Sequence, residues 1–124
     1  MFRALVIGYA PDAVDFTDPL MPPGLDAARV AEGIKRDVQP MHDRGWEAEH
    51  LPIRSDGSLR DDILDRLADK TFDCIVIGAG VRKTTKHVPD FEQVIDAVRH
   101  GAPRTPIAFN ASPDSSGDTA ARWL

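Results

Sequence analysis

Two short apolar runs, RALVIG at 3–8 and DCIVIGA at 73–79, share one grammar: a charged residue, four apolar side chains in a row, then glycine. A run without polar alternation is buried on both faces, which is the condition of a strand inside a parallel sheet. Parallel neighbours cannot be joined by a tight turn. They need crossovers of a dozen or more residues, usually helical, so these two runs call for helices on both sides of a sheet.

The required helical stripes are present. From about Asp26 to Arg44, Ala27, Val30, Ala31, Ile34, Val38 and Met41 recur at three- and four-residue spacing, with Gly45 as a C-terminal stop. Pro40 lies inside that stripe and is expected to kink or end the regular helix near Gln39. Leu59, Ile63, Leu64 and Leu67 mark a second helix to about Lys70, opened by Ser58 in a capping-box-like SLRD. Phe91, Val94, Ile95 and Val98 mark a third from Pro89 to His100, with Pro89 at the first helical position and Gly101 as the stop. WEAEHLPI at 46–53 contains Pro52 and reads as an edge strand, and PIAFN at 106–110 as a fourth strand. GDTAARWL at 117–124 reads as a last short helix with Asp118 as its N-cap.

Strands alternating with helices specify an α/β domain, three layers α/β/α, with a four-stranded, mostly parallel sheet. Right-handed crossovers make 2-1-3-4 the most economical strand order. On this strand-and-glycine grammar most of the chain resembles a flavodoxin-like or Rossmann-like domain lacking the fifth strand. The resemblance is one of fold class and picks out no specific family. The 124 residues fit a single domain, 1–124.

With 15 basic and 20 acidic residues the net charge is −5, which argues against a polyanion, nucleic acid included, as the main partner. No apolar run approaches the ~18 residues of a membrane span, and MFRALVIGYA is interrupted too soon for a signal peptide, so the cytoplasm is the expected compartment. The single cysteine, Cys74, sits within an apolar run and reads as a core residue.

In open α/β sheets the ligand crevice lies at the carboxyl ends of the strands where the order reverses, here after strands one and three. Both following loops exceed the usual ~2–6 residues: one runs from Tyr9 to about Leu25, the other from Ala79 to about Val88. The first carries Asp12, Asp15 and Asp18, the second Arg82, Lys83, Lys86 and His87.

Standard cofactor motifs fail at this turn. Gly78 and Gly80 match the start of a dinucleotide fingerprint, but Lys83 stands where the third glycine belongs, and no glycine precedes Lys83 and Thr84 as a P-loop requires. GYAPDAVD after strand one is no flavin phosphate loop. NAD, ATP and FMN are thus disfavoured and no cofactor is expected. The four histidines lack metal-ligand spacing, and the three loop aspartates lack the EF-hand pattern, so no metal ligands are assigned.

The expected function is binding of a small anionic molecule, phosphate or carboxylate. Gly78 and Gly80 would allow backbone approach, Arg82 and Lys83 supply charge, Tyr9 and Asp12 form the opposite wall, and Asn110 orients the ligand. Two alternatives stay open. In one, the protein is an oligomer, most simply a homodimer, whose oppositely charged loops pair with each other or with a neighbouring subunit, and Trp123 and Leu124 cover the edge of strand four or anchor the interface. In the other, a hydrolase or transferase uses His87 with a loop aspartate such as Asp12. A triad drawn from Ser112, His87 and Asp12 has no G-x-S-x-G elbow behind it. Whether the protein is an enzyme is left open by the sequence.

Overall fold

The computed structural model describes residues 1–19, 21–83 and 87–124. Strands β1 (Arg3–Tyr9), β2 (Glu47–Ile53), β3 (Cys74–Ile77) and β4 (Ile107–Phe109) form one parallel sheet in the order β2-β1-β3-β4. The helices are α1 (Ala27–Asp43), α2 (Leu59–Asp69), α3 (Ala79–Arg82), α4 (Val88–Gly101) and α5 (Ser116–Ala121), and a 3-10 turn spans Pro11–Ala13.

Two cores sandwich the sheet because successive strand residues point to opposite faces. Leu5, Ile7, Tyr9, Leu51, Ile53, Ile75 and Ile77 pack against Leu59, Ile63 and Leu67 of α2 and Val94, Ala97 and Val98 of α4. Ala4, Val6, Cys74, Val76 and Ala108 take the other face, against Met41 of α1 and Ala120 of α5. All four residues of β3 are fully buried, which is why CIVI shows no polar alternation. The layers are those of a three-layer α/β/α fold, with helices covering both faces of the sheet.

Several local expectations are corrected. Helix α1 does not end near Gln39 but runs through Pro40 to Asp43. Proline removes only the bond to the carbonyl of residue 36, and Arg36 and Pro40 are both exposed, so water can take that carbonyl. Ser58 makes no capping bond. Its Oγ donates to Asp56 at 2.6 Å, within a turn that precedes the helix. Helix α5 begins at Ser116 after an N-cap at Ser115, so Asp118 lies inside the first turn and pairs with Arg44 at 2.6 Å instead of capping. The start of the basic loop is not irregular: residues 79–82 coil into the short helix α3 directly after β3.

Strand β4 is an edge strand, as expected of a sheet lacking a fifth strand. Its outer side is short and partly blunted, since Arg122 donates to the Phe109 carbonyl at 3.5 Å. Trp123 and Leu124, at the end of the chain, are 52% and 74% exposed. Among the described residues no helix is long and apolar enough to cross a membrane.

Candidate functional site

The carboxyl ends of the strands bring together the ends of β1 and β3 with α3 and the turn after β4. Gly78 lies against β1: its N–H donates to the Ile7 carbonyl at 2.9 Å, and a Cβ placed there would stand 3.1 Å from that same oxygen. Gly80 is different. It is exposed, and a Cβ there would meet no atom within 4 Å. Neither glycine has a positive φ, so close approach alone distinguishes them.

Gly78→Ala is therefore expected to destabilise the protein by about 1–2 kcal/mol, because two backbones must part. Gly80→Ala is expected to be neutral or to stabilise by up to about 1 kcal/mol through a stiffer unfolded chain. Urea denaturation of the two variants checks the contrast, which would be lost if both residues were mere loop positions.

Arg82 and Lys83 reach the turn after β4. The Arg82 guanidinium donates to the Asn110 carbonyl and lies 5.3 Å from the Phe109 ring centre, while Lys83 Nζ donates to the Ala111 carbonyl at 2.7 Å. Both cations thus rest on main-chain oxygens, and among the described residues neither pairs with a carboxylate. Burial pulls the Arg82 pKa below its usual range, and its buried Nε has no hydrogen-bond partner among the described residues. Lys86 lies outside the described residues.

Asn110 is buried, its side chain turned toward α5, where Nδ2 donates to Ser116 Oγ at 3.1 Å. Its carbonyl, not its amide, meets the basic pair. Ser116 in turn donates twice to Asp37 of α1, from its backbone N–H at 3.0 Å and its hydroxyl at 2.5 Å. Asp37 is itself buried, and that burial, outweighing the Ser116 hydrogen bonds, raises its pKa.

A second polar group gathers above β1 and β2. Tyr9 OH donates to Asp90 Oδ2 at 2.6 Å, Ser55 Oγ donates to the same oxygen at 2.5 Å, and His87 Nδ1 lies 3.3 Å from it. The His87 ring also packs on Tyr9 with centroids 4.7 Å apart. The Asp90 carboxyl is desolvated, which opposes ionisation, yet the Ser55 and Tyr9 hydroxyls and the imidazole hold it below the usual carboxylate range. Burial, with the Asp90 hydrogen bond and charge, pushes the Tyr9 phenol up. Asp12 does not face the basic pair. It bonds Arg54 at 2.8 Å on the rim beside β2, so the partner of His87 is Asp90.

Asp90, Ser55, Arg54, Asp37 and Ser116 escaped the sequence reading. Asp37 alone left a trace, as an acid three residues after Ile34 and four before Met41 on an otherwise apolar stripe. Cys74 is fully buried and its thiol is pushed up to about 11, while burial lowers His50 to about 4, leaving both neutral near pH 7. Two open surface hollows lie along α4. One, of about 250 Å³, is lined by Phe91, Glu92, Ile95, Asp96 and Arg99, and another, of about 480 Å³, by Arg60, Pro89, Glu92, Gln93 and Asp96.

No protein-family model matches the chain, and no curated protein matches it.

Proposed function

We propose that the protein binds a small anionic molecule, a phosphate or carboxylate, over Gly80 at the carboxyl end of β3, with Arg82 and Lys83 as its charged contacts. One observation carries this reading. In a chain of net charge −5, Arg3, Arg44, Arg54, Arg60 and Arg66 all pair with carboxylates, yet the adjacent cations Arg82 and Lys83 rest on neutral carbonyls, and the neighbouring Gly80 faces open space. Swinging Arg82 from the Asn110 carbonyl to an anion exchanges a neutral acceptor for a charged one, and charge-assisted bonds are roughly twice as strong. It also frees Nε to find an acceptor. Helix α3, four residues long, adds little dipole, so the side-chain charges do most of the binding.

A second reading, a homodimer through the β4 edge, is favoured by Phe109 on β4 and Trp123 after α5, large apolar side chains that are 41% and 52% exposed. The cytoplasm belongs to the same proposal. Calorimetric titration with inorganic phosphate at low ionic strength tests the first reading. Arg82→Ala/Lys83→Ala is expected to weaken binding roughly 10- to 100-fold. Gly80→Ala should weaken it without loss of stability. Phosphate affinity unchanged in all variants would refute the site; a fall in sedimentation mass in the double variant, with no phosphate binding by the parent, would favour the dimer.

A further inference from the structure

Resting on that anion site, we infer that His87 is a general base, oriented by Asp90, that removes a proton from the far end of the bound anion, making the protein a catalyst of proton transfer next to a carbonyl group. Four side chains from three parts of the chain converge here. Tyr9 ends β1, Ser55 follows β2 by two residues, His87 precedes α4, and Asp90 lies in the first turn of α4. All meet at one carboxylate oxygen. The His87 and Asp90 side chains are only 15% and 16% exposed, so the pair is held in a screened setting on the rim where ligands of open α/β sheets sit.

The contact uses Nδ1. A carboxylate on Nδ1 favours the tautomer with the proton there and leaves Nε2 as the lone-pair nitrogen, the arrangement of a base with an orienting acid. Asp90 is thus a positioning residue and His87 the catalytic one. Asp12 has no part in the pair, being held by Arg54.

Spacing gives the substrate class. His87 packs over Tyr9 at the end of β1, and Arg82 sits on the turn after β4, two strands away. Two steps of ~4.8 Å place the end of β1 and the turn on which Arg82 rests roughly 10 Å apart. With a hydrogen-bond reach of about 3 Å at each end, about 4 Å is left for the molecule. That span suits a compound of about three to five carbons with an anionic group at one end and a carbonyl-activated C–H at the other. In the step, the C–H proton passes to Nε2 and the C–H electron pair becomes the enolate. The imidazolium is balanced by Asp90, and the reverse transfer returns a proton to carbon.

The experiment has two arms. Nitrogen-15 NMR of the His87 ring at neutral pH should find Nδ1 protonated and Nε2 bare, and Asp90→Asn should abolish that preference; a proton on Nε2 in the parent protein overturns the inference. Dihydroxyacetone phosphate and 4-oxopentanoate are then incubated with the protein in D₂O and C–H exchange is followed by proton NMR. The protein should accelerate exchange of at least one, His87→Asn should lower the rate by about 100-fold or more, and Asp90→Asn should lower it less while displacing its pH profile. Arg82→Ala/Lys83→Ala should raise KM with kcat retained. If phosphate binds at Arg82 and Lys83 but neither compound exchanges faster than with His87→Asn, the proton-transfer inference is wrong and the binding reading stands. If phosphate does not bind, the binding reading fails and takes this one with it.

Discussion

Replacing Asp37 with alanine is expected to destabilise the protein by about 2–4 kcal/mol. Asp37 accepts from both the backbone N–H and the hydroxyl of Ser116, and Ser116 is fully buried, so neither donor finds water once the carboxyl is gone. An unsatisfied buried donor costs about 1–3 kcal/mol. The loss also loosens Asn110, whose amide leans on the Ser116 hydroxyl, and with it the turn that receives Arg82 and Lys83. Asp37→Asn separates shape from charge. It keeps the acceptor for the N–H and removes a carboxyl whose pKa burial has raised. A raised folded-state pKa means that this group's stability contribution is fully present below the unfolded value of ~3.9 and is lost as pH rises through the folded value. Asp37→Asn should therefore gain on the parent protein as pH rises from about 4 towards neutrality, on top of a constant offset for the exchanged acceptor. Asp90 and Glu49, whose pKa values are lowered, act in the opposite sense and lose their contribution as pH falls. They are the same in both proteins, so the difference between two urea series isolates Asp37. A pH-independent difference would mean that the carboxyl is not desolvated.

What the sequence disclosed depended on the range of the physics. The four-residue apolar runs of β1 and β3 announce themselves because double burial needs only local composition, and the strand order follows from crossover handedness. Helix α3 is too short for any periodicity to register, so it was legible only as a loop. The polar groups divide in the same way. Arg82 and Lys83 could be placed from position alone, since the end of β3 puts them on the rim. Asp90 could not, because its partners Tyr9 and Ser55 lie 81 and 35 residues away and only the tertiary fold joins them. Asp12 illustrates the limit: loop charges show that pairing is possible, but choosing Arg54 over Arg82 depends on which strand ends are neighbours. Asp37 escaped for a different reason. An acid on a helix is normally a solvent-facing residue, and its burial here is tolerable only because Ser116, 79 residues on, supplies two donors.

Ile75→Ala, in the middle of β3, should cost about 3–4 kcal/mol, against about 1 kcal/mol for Cys74→Ala beside it. The two residues are neighbours in sequence and both fully buried, but they face different layers. Ile75 meets the larger core under α2 and α4, where deleting its branched chain leaves a cavity that two packed helices cannot close. Cys74 meets the smaller core of alanines, valines and Met41 and gives up a single sulfur atom. Near-equal losses would show that the two layers do not differ in packing as described. Cys74 also provides the measurement. As the single cysteine, buried and with its thiol pushed up to about 11, it reacts with a thiol reagent only when the sheet opens. When reclosing outpaces labelling, the rate follows the population of the open state, so Ile75→Ala should accelerate it roughly 10²- to 10³-fold at one tenfold step per 1.4 kcal/mol. Saturating phosphate should slow labelling in both proteins, because a ligand held only by the native state lowers the open population. Arg82→Ala/Lys83→Ala should abolish that protection.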